Sequence, residues 1–200
     1  LAKKSSKNKK SVKSTNKVTK KSFSANWKEK WEKNKKSYMF IFSILVFGIF
    51  SFWLTSQEFF DKLAQPLLNL YATISNWILL ALGQGTRASS ESIFSSDFSI
   101  QIKKGCDAIA PMILYTLSII FFPVKWKFKP KGILVGIALL FALNIVRIVT
   151  LYLTGKYIPS IFDMMHTDIW QILFIVFTLY LWLVWLRKVN EQEQTPTTDG

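Results

Sequence analysis

The chain has 200 residues, half of them hydrophobic, with 17 Phe, 8 Trp and a net charge of +14. That length suits one domain, and so apolar a composition excludes an ordinary soluble one. One Cys and one His exclude an intramolecular disulfide and any metal site needing several of either, so neither metal nor cofactor is expected.

The charge is uneven. Residues 1–37 carry 14 Lys and 2 Glu, a net +12, and the remaining residues carry 12 basic and 10 acidic side chains, a net +2. The first segment is a Lys/Ser/Asn stretch with few apolar residues, the composition of a disordered tail. It stands just before a hydrophobic run, where a polybasic segment fixes orientation and attracts anionic lipid. Membrane lipid rather than nucleic acid is therefore its expected partner. Trp27 and Trp31, spaced i,i+4 beside Lys28, Lys30 and Glu32, predict a short helix on the membrane surface. No small-residue cleavage site follows the run, so it reads as a retained anchor rather than a signal peptide.

Four segments have the length and apolarity of spans: 39–56, 106–123, 132–153 and 168–186. At 1.5 Å per residue each is about 27–33 Å long, close to the hydrocarbon thickness. Residues 57–83 differ. Phe59, Phe60, Leu63, Leu67, Leu70, Tyr71, Ile74, Trp77 and Ile78 recur at helical spacing, with Gln65, Asn69, Thr73 and Asn76 mostly opposite. This is an amphipathic helix lying in the interface or lining a groove, with a fifth span as the alternative.

Lysine placement decides between the two. If 57–83 does not cross, Lys125, Lys127, Lys129, Lys131, Arg187 and Lys188 all fall on the cytoplasmic side; if it crosses, all six move outside, against the positive-inside rule. The first arrangement puts both termini in the cytoplasm and residues 86–104 outside. Polar and apolar residues alternate from Asp97 to Lys103. With Ser95-Ser96 as a turn, 87–103 is expected to form a small β-hairpin. The expected fold is an all-α membrane helical bundle: about four spanning helices, an interfacial helix and the extracytoplasmic hairpin. Its expected parts are a basic cytoplasmic tail, 1–37, a membrane-embedded domain, 38–188, and a disordered cytoplasmic tail, 189–200.

Cys106 opens the second span, where a helix N-terminus favours thiolate, and Gly105 before it permits a tight turn. Arg147 lies within the third span with Asn144 at i−3 on the same face. A buried arginine in a membrane is costly and marks a functional pocket. His166 precedes the last span, with Asp163 and Asp168 near enough to orient it or raise its basicity. Under the topology set by the lysines, Cys106, Arg147 and His166 share the outer third of the membrane. Their roles fit one mechanism: His166 removes the thiol proton, the thiolate attacks a carbonyl, and Arg147 stabilises the thiolate or the oxyanion.

Gly105-Cys106 opening a span, Asn144-Ile145-Val146-Arg147-Ile148 in the next and His166 before the last resemble the exosortase/archaeosortase family of membrane cysteine transpeptidases. The resemblance covers roughly residues 40–186 and is closest to the compact bacterial members. It departs at Asp107-Ala108, where the family commonly has Ser-Gly or Asn-Gly after the cysteine. Asp107 adds negative charge beside the thiol unless Arg147 or a lysine such as Lys104 pairs with it. The resemblance implies a sorting enzyme of the bacterial cytoplasmic membrane. Its substrates would be exported proteins bearing a C-terminal motif, a transmembrane helix and a basic cluster. Cys106 would form a thioester that an acceptor nucleophile resolves. Two readings from other classes compete: a membrane scaffold or assembly factor, in which Cys106 is dispensable, and a small transporter subunit with Arg147 in a solute pathway.

Overall fold

A computed structural model of the chain describes residues 34–35, 37–103 and 105–194. The tail helix expected at Trp27–Trp31, and Lys104, lie outside these. The chain divides into two units, 1–42 and 43–200; the described residues of the first are helical. Helix α1 (Ser37–Thr55) is apolar enough to cross a membrane, and it exposes Ile49, Phe52 and Trp53. Helix α2 (Glu58–Ala81) leads to a sheet of β1 (Arg87–Ser89), β2 (Ser92–Phe94) and β3 (Ser99–Gln101). Then come α3 (Ile109–Phe121), α4 (Lys129–Tyr157), the single turn α5 (Phe162–Met164), a π-helical turn Met165–Ile169, and α6 (Trp170–Gln194).

Among the described residues three helical segments are long and apolar enough to span: Ser37–Thr55, Trp126–Tyr157 and Pro159–Glu193. The chain is thus a mostly helical membrane protein. The expected second span, 106–123, contains a shorter helix than the sequence suggests: α3 has 13 residues, about 20 Å, and needs the loop before it to reach across a bilayer core. Its start is delayed by a loop in which Gly105 and Ala108 both take positive φ, 89° and 57°, a conformation that interrupts a right-handed helix. Phe122, already extended, closes its other end ahead of Pro123.

The expected hairpin is present as β2 and β3, and a further strand extends it to a three-stranded antiparallel sheet in the order β1-β2-β3. The alternation read over 97–103 belongs to β3, paired with β2 through Ile93↔Ile100. The extra strand, β1, joins through a turn that places Ser90 at φ 52°. At the other end of the chain, α6 continues to Gln194, past the start expected for a tail at residue 189. Val189 is buried with Trp185 and holds these last turns in the bundle.

Helix α4 is the centre of the bundle. One face, with Ile145, Ile148, Val149 and Tyr152, packs on Leu68, Tyr71, Ala72 and Leu79 of α2 and on Ile93 and Ile102 of the sheet segment. The other, with Leu140 and Leu151, packs on Tyr115 and Ile119 of α3 and on Trp170, Phe174 and Leu181 of α6. Close approach is made possible by glycine. A Cβ at Gly136 would fall on the Tyr115 ring, and one at Gly132 on Trp185. This small-xxx-small spacing lets helices meet closely where lipid supplies no hydrophobic drive. Helix α2 turns Phe59, Leu63 and Trp77 outward and buries Ser75 and Asn76. The large apolar side chains it turns outward suit an apolar surround.

Candidate active site

The site forms where the two cores meet, around the loop between β3 and α3. The left-handed residues Gly105 and Ala108 bracket Cys106 and Asp107. The Cys106 N–H closes a turn onto the Lys103 carbonyl, 2.9 Å. Asp107 is buried, and its Oδ1 accepts the N–H of Ile109 at 3.0 Å, so it caps the first turn of α3. The carboxylate makes no ion pair with Arg147 among the described residues; its hydrogen bond is spent on the helix end, where a negative group is favourable.

Two polar residues of α4 hold this loop. Asn144 is wholly buried, and its Nδ2 donates to the Cys106 carbonyl at 3.0 Å. Among the described residues its Oδ1 has no hydrogen-bond partner within normal geometry, nor has the equally buried Tyr71 hydroxyl. Arg147 is also buried. Its Nη1 reaches the Gly105 carbonyl at 3.4 Å, and its Nη2 reaches Cys106 Sγ at 3.7 Å and the His166 carbonyl at 3.4 Å. Its guanidinium also lies over the Phe174 ring, 5.6 Å from the centroid. These contacts are long, so the fork is held near the sulfur without being consumed by one acceptor.

His166 completes the group. Its Nε2 lies 2.9 Å from Cys106 Sγ. The residue rides on the π-helical turn Met165–Ile169, a wide turn often found at functional sites. Its imidazole stacks flat on Phe162, with centroids 5.9 Å apart and planes 4° from parallel. Neither Asp163 nor Asp168 hydrogen-bonds it among the described residues, and Asp163, which is exposed, acts on it only through its charge. Sequence reasoning did not find Phe162 or Tyr71, because an apolar ring and a helix-face tyrosine carry no chemical signature of their own.

Three elements thus bring Cys106, Arg147 and His166 into mutual contact, with Gly105, Asp107 and Asn144 supporting the loop. A thiol, a base in reach of its proton and a cation beside the sulfur are the parts of an activated nucleophile. A cleft of about 620 Å³ opens onto Gly105 and Asp107. The lysine-rich connection to α4 lies at the other end: Lys131 is sixteen residues before Arg147, about 24 Å along the helix. A family model described as transmembrane exosortase matches residues 34–183. No curated protein and no solved structure matches the chain.

Proposed function

We propose, from the premise that this chain belongs to the transmembrane exosortase family, that it is a cysteine transpeptidase cleaving the C-terminal sorting signal of exported proteins. The observation that carries the reading is the 2.9 Å approach of Cys106 Sγ to His166 Nε2 with the Arg147 fork 3.7 Å from the same sulfur.

In this reading His166 Nε2 accepts the thiol proton. The sulfur bonds to the scissile carbonyl carbon, and the carbonyl oxygen takes up the displaced electron pair as an oxyanion. Arg147 neutralises that charge from a buried position, where the interaction is stronger than in water. The tetrahedral centre collapses, the C–N bond breaks, and the leaving amine takes the proton from the His166 imidazolium. The thioester stays on Cys106 until an acceptor amine attacks. That amine yields its proton to His166, and the sulfur leaves. Asn144 fixes the Cys106 carbonyl, so the nucleophile's backbone does not shift between the two half-reactions. Enclosure among apolar helices limits water at the thioester.

The reading places the protein in a bacterial cytoplasmic membrane with both termini inside and the site near the outer face. Support comes from the lysines of the α3–α4 connection at the end of α4 away from the site. Lys129 there reaches the Ile120 carbonyl at 2.6 Å and lies over the exposed Trp126 ring at 4.7 Å, an interfacial pairing. The test is processing of an exported reporter ending in a motif, a transmembrane helix and a basic cluster from the same cell. Cys106→Ala should abolish processing and the thioester adduct; undiminished processing would overturn the proposal.

A further inference from the structure

The cleft beside the nucleophile holds a carboxylate that the chemistry above does not use. Phe60, Ala64 and Leu68 form an apolar strip along one face of α2, and Gln65, Glu91 and Lys103 supply a polar part, before the cleft reaches Gly105. Glu91 is held from three directions. Its carbonyl accepts the N–H of Ile102 at 2.9 Å. Gln101 Nε2 donates to Oε1 at 2.7 Å, and Gln65 Nε2 donates to Oε2.

All of these donors are neutral. Among the described residues no lysine or arginine pairs with Glu91, and Lys103 on the same cleft is exposed and beyond ion-pair reach. Among the described residues the carboxylate is fixed in place, its charge is not cancelled, and roughly half of its acceptor sites stay open. A pin between α2 and β3 needs no net charge. A charge held by amides in a half-buried cleft is the complement of a cation arriving from elsewhere.

The position along the cleft follows from the backbone. Ile102 lies opposite Glu91, about 5 Å away across the ladder. The turn from Lys103 to Cys106 spans less than about 7 Å. Glu91 is therefore within about 16 Å of the nucleophile, a reach of no more than about four or five extended residues.

We infer that Glu91 is the specificity subsite for a lysine or arginine side chain carried by the exported substrate within about five residues of the scissile bond. The inference rests on the transpeptidase reading and adds the chemistry of the segment it accepts. This cation lies at the cleaved segment itself, apart from any basic cluster on the far side of the membrane.

The experiment uses the full chain in proteoliposomes. Because Cys106 is the only cysteine, a membrane-impermeant maleimide reports on this thiol alone. The probes are blocked Gly/Ala decapeptides carrying one arginine, citrulline or glutamate, with the residue moved along the peptide. In the wild type the arginine peptide should slow labelling about fivefold more than the isosteric, uncharged citrulline peptide. Glu91→Gln should erase that difference, and Glu91→Lys should transfer protection to the glutamate peptide, which a misfolded variant would not do. Equal rates with arginine and citrulline in the wild type, or an arginine preference that survives in Glu91→Gln, would overturn the subsite. Failure of the underlying reading looks different: a thiol the reagent never modifies sinks both, whereas a labelled thiol indifferent to the peptides sinks only the subsite.

Discussion

Cys106 Sγ and His166 Nε2 lie 2.9 Å apart although sixty residues separate them in the chain. The contact requires the β3–α3 loop and the π-helical turn before α6 to face each other across α4. Removing the base should therefore act on chemistry while leaving the bundle intact. His166→Ala is expected to lower reporter processing by about 10²–10⁴-fold and to slow Cys106 alkylation at neutral pH. Thermal unfolding in detergent should move little, since His166 is only partly buried. Processing within a few-fold of wild type would remove His166 from the mechanism.

Arg147 tests whether shape or only charge matters. Its two terminal nitrogens serve three acceptors on two loops, the carbonyls of Gly105 and His166 and the Cys106 sulfur. A lysine keeps the charge and loses the fork. Arg147→Lys should retain a measurable fraction of processing, down about 10–100-fold, with Arg147→Ala lower still. If solute uptake rather than processing were lost in Arg147→Ala, and Cys106→Ala were silent, a transport role would replace this one.

The trio of Cys106, Arg147 and His166 was legible because each residue is chemically conspicuous in an apolar chain, and lysine counts alone aligned their depths. Asn144 was legible for the same reason, as a second polar group one turn from a buried arginine. The helix at α2 followed from its periodicity. What was not legible depends on backbone conformation or on long-range packing. Cys106 lies in a loop rather than on a helix because Ala108 adopts a left-handed conformation, which alanine does not advertise. The strand β1 has no alternating pattern long enough to read. Orientation of His166 was expected from Asp163 or Asp168, whereas an apolar ring, Phe162, lies flat against the imidazole. The Gly132/Gly136 pair was visible as letters, but its partners Trp185 and Tyr115 are set only by tertiary packing.

Ala108 gives the family departure a physical form. It sits at φ 57° at the start of α3, where the resemblance expects glycine. A left-handed alanine costs about 1–2 kcal/mol, partly offset by burial of its methyl group, about 0.8 kcal/mol. Ala108→Gly is expected to be tolerated within about 1 kcal/mol, with Cys106 still reactive. Ala108→Val, β-branched and worse suited to positive φ, should destabilise by about 2 kcal/mol or more. Urea or thermal titration followed by tryptophan fluorescence in detergent compares the two.

Asp107 combines two opposed effects that substitution can separate. Its Oδ1 caps α3 through Ile109 N–H at 3.0 Å, and its negative charge stands beside a sulfur that must become negative. Asparagine keeps an oxygen for the cap and removes the charge. Asp107→Asn should therefore hold stability within about 1 kcal/mol and raise the alkylation rate of Cys106 about 3- to 10-fold by removing like-charge repulsion. Asp107→Ala removes both and should lose about 1 kcal/mol of stability as well. An unchanged alkylation rate in the asparagine variant would show that the carboxylate does not act on the thiol.

Gly136 provides a test of the scaffold away from the chemistry. A Cβ built there meets the Tyr115 ring, whose hydroxyl donates to the Gly132 carbonyl at 3.1 Å. The α3–α4 approach, which positions the loop carrying Cys106, depends on that space. Gly136→Val should overpack the interface and cost about 1–3 kcal/mol. Tyr115→Ala alone should also destabilise, by opening a cavity and losing the hydrogen bond to Gly132. Combined, the two should cost less than their sum, because the valine enters the space the ring has left. A double-mutant cycle on thermal unfolding in detergent measures the difference, and strict additivity would mean that Gly136 and Tyr115 do not share the interface described here.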